Sequence, residues 1–254
     1  MSKHRYILTV AGHDPSGGAG ITSDIKTFEP YGLYGLSVCT AITVQNDTDF
    51  KDCVWLPVDT ILAQITILFE RFEINTVKIG IVESWQVLLL ILEKLHSLQP
   101  TVKVILDPIF KATAGFDFHT TEDQSVLYKI WKMCYIITPN YIEIQDLYPE
   151  MDIKDTLQHI SSSTNIYLKG GHRKEKKGWD ELYQNEIKML SIPPTKGILS
   201  EKHGSGCVLS SALASNIALG IALEDACKNA KTYTEQFLNS HPSLLGIHPK
   251  ITAI

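Results

Sequence analysis

The chain has 254 residues, of which 44% are hydrophobic and 20% charged, so it can form a full core and is neither disordered nor collagen-like in composition. Its formal net charge of -5 excludes an overall basic field that would attract nucleic acid or an anionic membrane. Anionic ligands must therefore be bound locally. The longest aliphatic run, residues 87–92, is far shorter than the roughly 20 apolar residues that cross a bilayer.

From residue 6 to residue 168, short apolar runs alternate with helical patterns. Strands are predicted near residues 6–11, 37–44, 76–79, 102–106, 135–138 and 166–168. Segments such as 58–72 and 84–98 place apolar residues on one face and charged residues on another, as amphipathic helices do. Strands that are apolar on both faces belong in a covered parallel sheet. The pattern therefore predicts an α/β fold, a doubly wound and mostly parallel central sheet flanked by helices.

The remainder of the chain has a different pattern. Residues 179–183 and 186–192 predict a hairpin around Gln184-Asn185, which extends or edges the sheet. Two helices follow at 207–219 and 223–238, with Gly220 as the C-cap between them. No repeat, linker or low-complexity tract interrupts the chain, so we expect a single domain over residues 1–254. The five cysteines lack the CxxC spacing of zinc or redox sites, which favours a reducing cytoplasm.

The first segment that indicates chemistry runs from Gly12 to Gly20, directly after the first strand and before a helical pattern. Its glycines allow a ligand close to the backbone, and the start of the helix favours an anionic or strongly polar group. The segment lacks the GK[ST] of a P-loop and the GxGxxG of a dinucleotide fold. It is either a ligand-binding loop or a tight turn, and the polar Asp14 favours the loop. Asp24, on the helix, is either a ligand group or a solvated carboxylate.

The second segment is His203-Gly204-Ser205-Gly206-Cys207, followed by a helix of small residues. The unpaired amide groups of the first helical turn would bind the charge of a transferring phosphoryl group. Cys207 lies in that turn, where the helix dipole is expected to lower the thiol pKa, so it is a candidate base for an attacking hydroxyl. The alternative is a small core residue. Its position after Gly-Ser-Gly favours the base.

Three further signals follow predicted strands. Asp107, before Pro108, either faces the ligand crevice and binds a metal or caps the next turn. Asn140 and Glu143 have the spacing of a capping box, which is also compatible with metal binding. In Lys169-Gly170-Gly171 the glycines would admit a nucleotide, and the lysine either contacts a phosphate or lies on the surface.

These motifs, in order along nearly the whole chain, resemble those of hydroxymethylpyrimidine/phosphomethylpyrimidine kinases of thiamine biosynthesis, in the ribokinase-like superfamily. The resemblance is carried by residues 8–21, 24–28, 34–46, 78–80, 107–115, 139–143, 169–172 and 203–207. It implies a ribokinase-like fold and two phosphorylations by ATP and Mg²⁺, first of 4-amino-5-hydroxymethyl-2-methylpyrimidine and then of its monophosphate. It also implies a homodimer, and neither nucleic acid nor membrane as a partner.

The resemblance assigns roles to individual residues. Cys207 would be the catalytic base, beside Gly204, Ser205 and Gly206. Gln45 would hydrogen-bond with the aminopyrimidine edge as a donor and acceptor. The substrate pocket would further include Gly12, Asp14, Ala19, Asp24, Val44 and Ile81. Nucleotide and phosphates would be bound by Asp107, Thr113, Asn140, Glu143, Lys169 and Gly171, with Asp107 and Glu143 also organising magnesium.

Two alternatives stay open. Some chains with this pattern phosphorylate pyridoxal, another flat heterocycle that bears a hydroxymethyl group. A pyrimidine-binding regulator without turnover is less compatible with the retained base, glycines and acidic residues. His13, Ile81, Lys111 and Ala114 depart from the residues usual in the family, and His13 and Lys111 bear on which ring or phosphate is accepted.

Overall fold

A computed structural model describes residues 5–109, 126–171, 175–195 and 200–251. Thr113, Lys111 and Ala114 lie outside the described residues. The nine strands of the described chain are β1 Tyr6–His13, β2 Tyr34–Gln45, β3 Phe50–Trp55, β4 Ile74–Ile79, β5 Lys103–Leu106, β6 Ile136–Ile137, β7 Asn165–Leu168, β8 Asp180–Gln184 and β9 Ile187–Ile192. The α-helices are α1 Gly20–Phe28, α2 Val58–Arg71, α3 Trp85–Leu98, α4 Leu127–Met133, α5 Tyr141–Leu147, α6 Ile153–Ser161, α7 Ser205–Ala218 and α8 Leu223–Leu238.

All nine strands form one sheet in the order β3-β2-β1-β4-β5-β6-β7-β8-β9. Neighbouring strands from β2 to β7 run parallel, which confirms the predicted doubly wound α/β sheet. Both edges are antiparallel, through β3 on one side and the β8–β9 hairpin on the other. The hairpin turn is at Asn185 and Glu186, one residue later than predicted, since both adopt positive φ, 49° and 65°.

The sheet is covered on both faces because successive strand residues point to opposite sides. In β1, Leu8 and Val10 pack toward α2 to α6, whereas Ile7 packs toward α1, α7 and α8. The C-cap of α7 is Leu219, and Gly220, predicted as the C-cap, follows it with a positive φ of 83°, the conformation that glycine commonly adopts directly after a helix. Among the described residues, no helix is both long and apolar enough to cross a membrane.

The strand order reverses at β1, which pairs with β2 on one side and β4 on the other. In open parallel sheets the crevice at such a reversal, outside the carboxyl ends of the strands, is where ligands bind. The glycine loop after β1 and residues 80–82 after β4 border this crevice. The fold thus brings the predicted site segments to the same edge of the sheet.

A buried charge cluster joins α8 to the β8 edge. Lys231 contacts Asp180 at 3.1 Å and Glu235 at 3.2 Å, and all three side chains are less than a tenth exposed. Asp180 also accepts hydrogen bonds from the Tyr167 hydroxyl and the Gly170 amide, each at 2.7 Å. The cluster therefore fixes the backbone directly after β7, next to Lys169.

We expect Lys231→Met to lower the free energy of unfolding by about 3–5 kcal/mol, because it leaves two buried carboxylates without a cation. Urea denaturation measures this change. Lys228→Met is the matched control on the same helix, since Lys228 contacts Asp225 on the surface, and we expect no measurable change. Equal effects of the two substitutions would show that the buried cluster does not stabilise the fold.

Candidate active site

The loop after β1 is folded around its glycines. A Cβ at Gly12 would overlap the Ile81 side chain, and one at Gly20 would overlap the carbonyl of Gly12. Gly20 also has a positive φ of 59°, which residues other than glycine rarely adopt. Gly12 and Ile81, both predicted to line the substrate pocket, are therefore adjacent, and His13 is exposed.

Asp14 organises this loop from inside. Its Oδ1 accepts from the Ser16 amide at 2.8 Å, and its Oδ2 accepts from the Ser16 hydroxyl at 2.9 Å and the Ala19 amide at 2.8 Å. His203 Nε2 lies 2.8 Å from the same Oδ2. Burial alone would raise the pKa of Asp14, but hydrogen bonds from His203, Ser16 and Ala19 lower it below its ordinary value. Asp14 is therefore a carboxylate whose oxygens are used within the protein.

Asp24 lies beneath the loop and is fully buried, so the alternative of a solvated carboxylate is wrong. Its oxygens contact Lys78 Nζ at 2.9 and 3.0 Å and accept from Thr9 at 2.6 Å and Ser211 at 2.7 Å. Burial alone would lower the pKa of Lys78, but Asp24 raises it, so the lysine stays a cation. The pair joins β1, β4, α1 and α7 directly below the predicted site.

The start of α7 faces the loop and lacks a side-chain cap among the described residues. Its N-cap, Gly204, has a positive φ of 72°, and a Cβ there would overlap the backbone of Gly18. Every residue from Cys207 to Ile217 is buried, whereas Gly204, Ser205 and Gly206 are partly exposed, so a ligand can reach the first turn. The first amide groups of a helix have no partner within the helix, and this uncapped first turn is therefore suited to bind an anion.

Cys207 is the third residue of α7, in the first turn as predicted, and it is buried. Burial raises the pKa of its thiol to about 11, with Asp24 and Asp107 acting in the same direction and Lys78 in the opposite one. The predicted lowering of this pKa is wrong, because removal of the thiol from water outweighs the helix dipole. The amide of Gly20 donates a hydrogen bond to the sulfur. At neutral pH the residue is a thiol.

Lys169 and Asp107 meet on the other side of the α7 start. Lys169 Nζ lies 2.8 Å from Asp107 Oδ1, which also accepts from Thr138 at 3.0 Å, and Asp107 Oδ2 accepts from Ser210 at 3.2 Å. A Cβ at Gly206 would lie 3.6 Å from Lys169 Nζ, so the ammonium is next to the first helical turn. Among the described residues, the Asp107 side chain caps no turn, and Lys169 is not a surface lysine, since only 14% of its side chain is exposed.

Asn140 and Glu143 form a capping box at the start of α5. Asn140 Oδ1 accepts from the amides of Ile142 and Glu143, and Glu143 Oε2 accepts from the Asn140 amide. The same Oε2 lies 3.5 Å from Lys169 Nζ. Burial raises the pKa of Glu143 to about 7, with Lys169 acting in the opposite direction. Capping is therefore the observed role of this pair, and it directs one carboxylate toward Lys169.

The carboxylates of Asp107 and Glu143 fit a magnesium ion that phosphates also bind. Among the described residues, no three His, Cys, Asp or Glu side chains converge to form a metal site. Magnesium, however, usually takes one or two carboxylates together with substrate phosphates and water. Asp107 and Glu143 both contact the single cation Lys169, and Glu143 Oε1 makes no hydrogen bond to the described residues. Two converging carboxylates are thus present.

Three of the residues predicted to bind ligands, Gln45, Val44 and Gly171, make no hydrogen bond or ion pair with Lys169, Asp107 or Glu143. Gln45 ends β2, partly buried, and its carboxamide makes no hydrogen bond to the described residues. Val44 is half-exposed. Gly171 is exposed, and a Cβ there would meet no atom of the described residues within 4 Å. The three positions are less tightly bonded than Asp14 and Asp24.

Sequence analysis did not identify several polar partners of the site. Their shared property is that each joins two segments far apart in the chain: His203 with Asp14, Lys78 with Asp24, and Thr138 and Ser210 with Asp107. Lys78 offered one signal, since a lysine within an apolar strand requires a buried partner.

Comparisons with known proteins agree with this geometry. A family model described as phosphomethylpyrimidine kinase matches residues 14–250. A hydroxymethylpyrimidine/phosphomethylpyrimidine kinase of Aquifex aeolicus (strain VF5) is 34% identical over 243 residues, which cover 92% of this chain and 94% of the relative. Among solved structures, phosphomethylpyrimidine kinase from Clostridium difficile 630 is 33% identical with a TM-score of 0.76, over 91% of this chain and 98% of that chain.

An ADP complex of Bacillus subtilis pyridoxal kinase is 26% identical, with a TM-score of 0.76 and 94% of each chain covered. These neighbours confirm the predicted ribokinase-like fold. The family model and the high-coverage relative together show that the chain belongs to the phosphomethylpyrimidine kinase family.

Proposed function

We propose that this protein transfers the γ-phosphoryl group of ATP to 4-amino-5-hydroxymethyl-2-methylpyrimidine and then to the resulting monophosphate, in thiamine biosynthesis. The observation that carries the proposal is the uncapped start of α7, with the buried thiol of Cys207 in its first turn and the Asp14 loop opposite. Family membership supports the reaction class, and the ADP complex of the B. subtilis neighbour supports ATP as donor. The single kinase domain would act in the cytoplasm, where five unpaired cysteines persist.

The amides of Ser205, Gly206 and Cys207 would bind the transferring phosphoryl group, since donors that the fold holds in place need no reorganisation during the reaction. Lys169 would neutralise a neighbouring phosphate. Its ammonium contacts Asp107 and Glu143, which fix its charge and position. Burial would lower the pKa of Lys169, but these two carboxylates raise it, which keeps it protonated.

The hydroxyl oxygen of the substrate would attack the γ-phosphorus as the bond to the ADP oxygen breaks. The hydroxyl proton would pass to the sulfur of Cys207, which must be a thiolate to accept it. Magnesium, bound by Asp107 and Glu143 together with the phosphates, would neutralise charge on ATP. Asn140 and Gly171 would border the nucleotide, as the resemblance implies for Thr113.

Substrate selection would depend on Gln45. Its carboxamide has both a donor and an acceptor, which match the amino group and adjacent ring nitrogen of an aminopyrimidine. Because this side chain has no hydrogen-bond partner among the described residues, both groups are available to a ligand. Gly12, Ala19, Val44 and Ile81 would supply the remaining wall, whereas Asp14 and Asp24 would act by shaping that wall.

A second copy of the chain would cover the β2–β3 edge of the sheet. Ile42 pairs with Val54 there, and Ile42, Val44 and Val54 are 52%, 50% and 57% exposed. An edge strand with exposed apolar residues is a surface that proteins usually cover. We therefore propose a homodimer through these three residues. The net charge of -5 gives the chain no overall basic field for nucleic acid or an anionic membrane as the alternative partner.

Incubation with ATP, Mg²⁺ and the hydroxymethylpyrimidine is expected to give first the monophosphate and then the diphosphate, measured by mass spectrometry. Gln45→Ala should lower kcat/KM for the pyrimidine by about tenfold, equivalent to one net hydrogen bond. Gln45→Glu is the matched control, since it keeps an acceptor and loses the donor. Turnover of pyridoxal with none of the pyrimidine would contradict the substrate and favour a pyridoxal kinase.

We expect kcat/KM to rise with pH, because the Cys207 thiol must lose its proton before it can act as the base. The reactive form is the thiolate and its pKa is about 11, so its fraction grows about tenfold per pH unit from about pH 7 to about pH 9. We expect kcat/KM to follow that slope. Cys207→Asp should flatten the profile because a carboxylate is already ionised, and Cys207→Ala should lower turnover by about 10²–10⁴-fold. Unchanged turnover of the alanine variant would assign the base elsewhere.

Sedimentation should give about twice the 28.4 kDa mass of one chain. Val54→Lys should shift the protein to the monomer, because a charge would be buried at the apolar contact. Ile67→Lys is the control, since Ile67 is 63% exposed on α2, away from this edge. A monomeric wild-type protein, or equal effects of both variants, would contradict the proposed interface.

A further inference from the structure

We infer that His203 is a positioning residue whose hydrogen bond with Asp14 fixes the α7 amides against the glycine loop. The inference rests on the proposed phosphoryl transfer and deepens it. His203 precedes the helix N-cap and is buried, and its Nε2 lies 2.8 Å from Asp14 Oδ2. Since Asp14 is a carboxylate and can only accept, Nε2 carries the proton and donates. The bond spans 189 positions of sequence.

The two segments interlock residue by residue around this bond. A Cβ at Gly18 would overlap the His203 ring, and a Cβ at Gly204 would overlap the Gly18 backbone. Farther along both segments, the Gly20 amide donates to the Cys207 sulfur. The imidazole therefore occupies the space that a side chain at Gly18 would need, and it fixes how closely the loop approaches the helix start.

His203 is also held from its other side. Its backbone amide donates to the Leu244 carbonyl at 3.0 Å, and the Leu245 side chain lies against the same position of Gly18. With its backbone anchored to the C-terminal segment and its ring to Asp14, the residue has little freedom. The fixed position of His203 therefore also fixes the position of Gly204 to Gly206, which follow it in the chain.

This arrangement predicts an effect on transition-state stabilisation rather than on ground-state binding. Asp14 retains three hydrogen bonds from Ser16 and Ala19 without His203, so the loop keeps its own fold. The amides of α7, however, would lose their fixed distance from the reacting oxygen. Misplacement of fixed donors by about 1 Å costs on the order of 10²-fold in rate.

Three substitutions of His203 test the bond. The amide nitrogen of glutamine lies about where Nε2 lies, whereas that of asparagine lies about where Nδ1 lies and cannot contact Asp14. We expect His203→Asn and His203→Ala to lower kcat on the order of 10²-fold, with KM for the pyrimidine and for ATP changed by less than about threefold. His203→Gln should remain within about fivefold of the wild-type kcat, since it keeps the donor.

Equal kcat values for the glutamine and asparagine variants, or a loss confined to KM, would overturn the inference. Circular dichroism and thermal unfolding establish that each variant is folded. Where His203→Ala or His203→Asn fails to fold, Gly18→Ala tests the same contact, since its Cβ displaces the ring while His203 stays intact. It should lower kcat with KM retained, and an unchanged kcat would equally overturn the inference.

The wild-type protein separates this inference from the proposed substrate. If it does not phosphorylate the pyrimidine, the proposed function fails, and the variants are compared by their intrinsic hydrolysis of ATP, which depends on the same amides. Glutamine above asparagine in that assay supports the positioning role of His203. Equal hydrolysis by both variants contradicts it.

Discussion

The uncapped start of α7 is the constraint on which the rest of the site depends. The first amide donors of a helix have no partner within the helix, and no described side chain caps them here. Gly204 can hold this end against the glycine loop only because it adopts a positive φ and lacks a Cβ. The strand reversal at β1 brings that loop to the same edge of the sheet. The fold therefore places unpaired amide donors, which an anion would satisfy, at the start of α7 beside the glycine loop.

The charged side chains near the start of α7 form two groups, which differ in how readily their ion pairs can be exchanged. Lys78 and Asp24 are fully buried, and among the described residues their side chains bond only to each other and to neighbouring hydroxyls, so their pairing is a permanent part of the core. Lys169 and Glu143 lie nearer the surface, with 14% of each side chain exposed, whereas Asp107 is 1% exposed. In the proposed function, an incoming phosphate and its cation would enter the group of Lys169, Asp107 and Glu143 and replace one ion pair by another, while Lys78 and Asp24 hold the helix in place.

Patterns local in sequence predicted much of this structure, and partners distant in sequence were not predictable. The bounds of α8 and the capping box at Asn140 follow from periodicity and three-residue spacing, which short segments determine by themselves. Strand β3 was missed because its exposed edge carries Lys51 and Asp52 and lacks an apolar run. The burial of Asp24 and its pairing with Lys78 depend on how β4 packs on α1, which no local pattern contains.

The raised pKa of Cys207 also depends on residues distant in sequence, and it bears on why this position holds a thiol. The helix dipole is a local feature and favours the thiolate, but burial and the carboxylates of Asp24 and Asp107 oppose it, and all three come from other segments. In the proposed mechanism, a carboxylate at this position would add a third negative charge to a site that admits the phosphates of ATP. A neutral thiol would avoid that repulsion before the reaction and would leave the amides of the first turn to the phosphoryl group alone. The proposed role as base then requires that the thiol release its proton to solvent water before the substrate hydroxyl transfers its own proton to the sulfur.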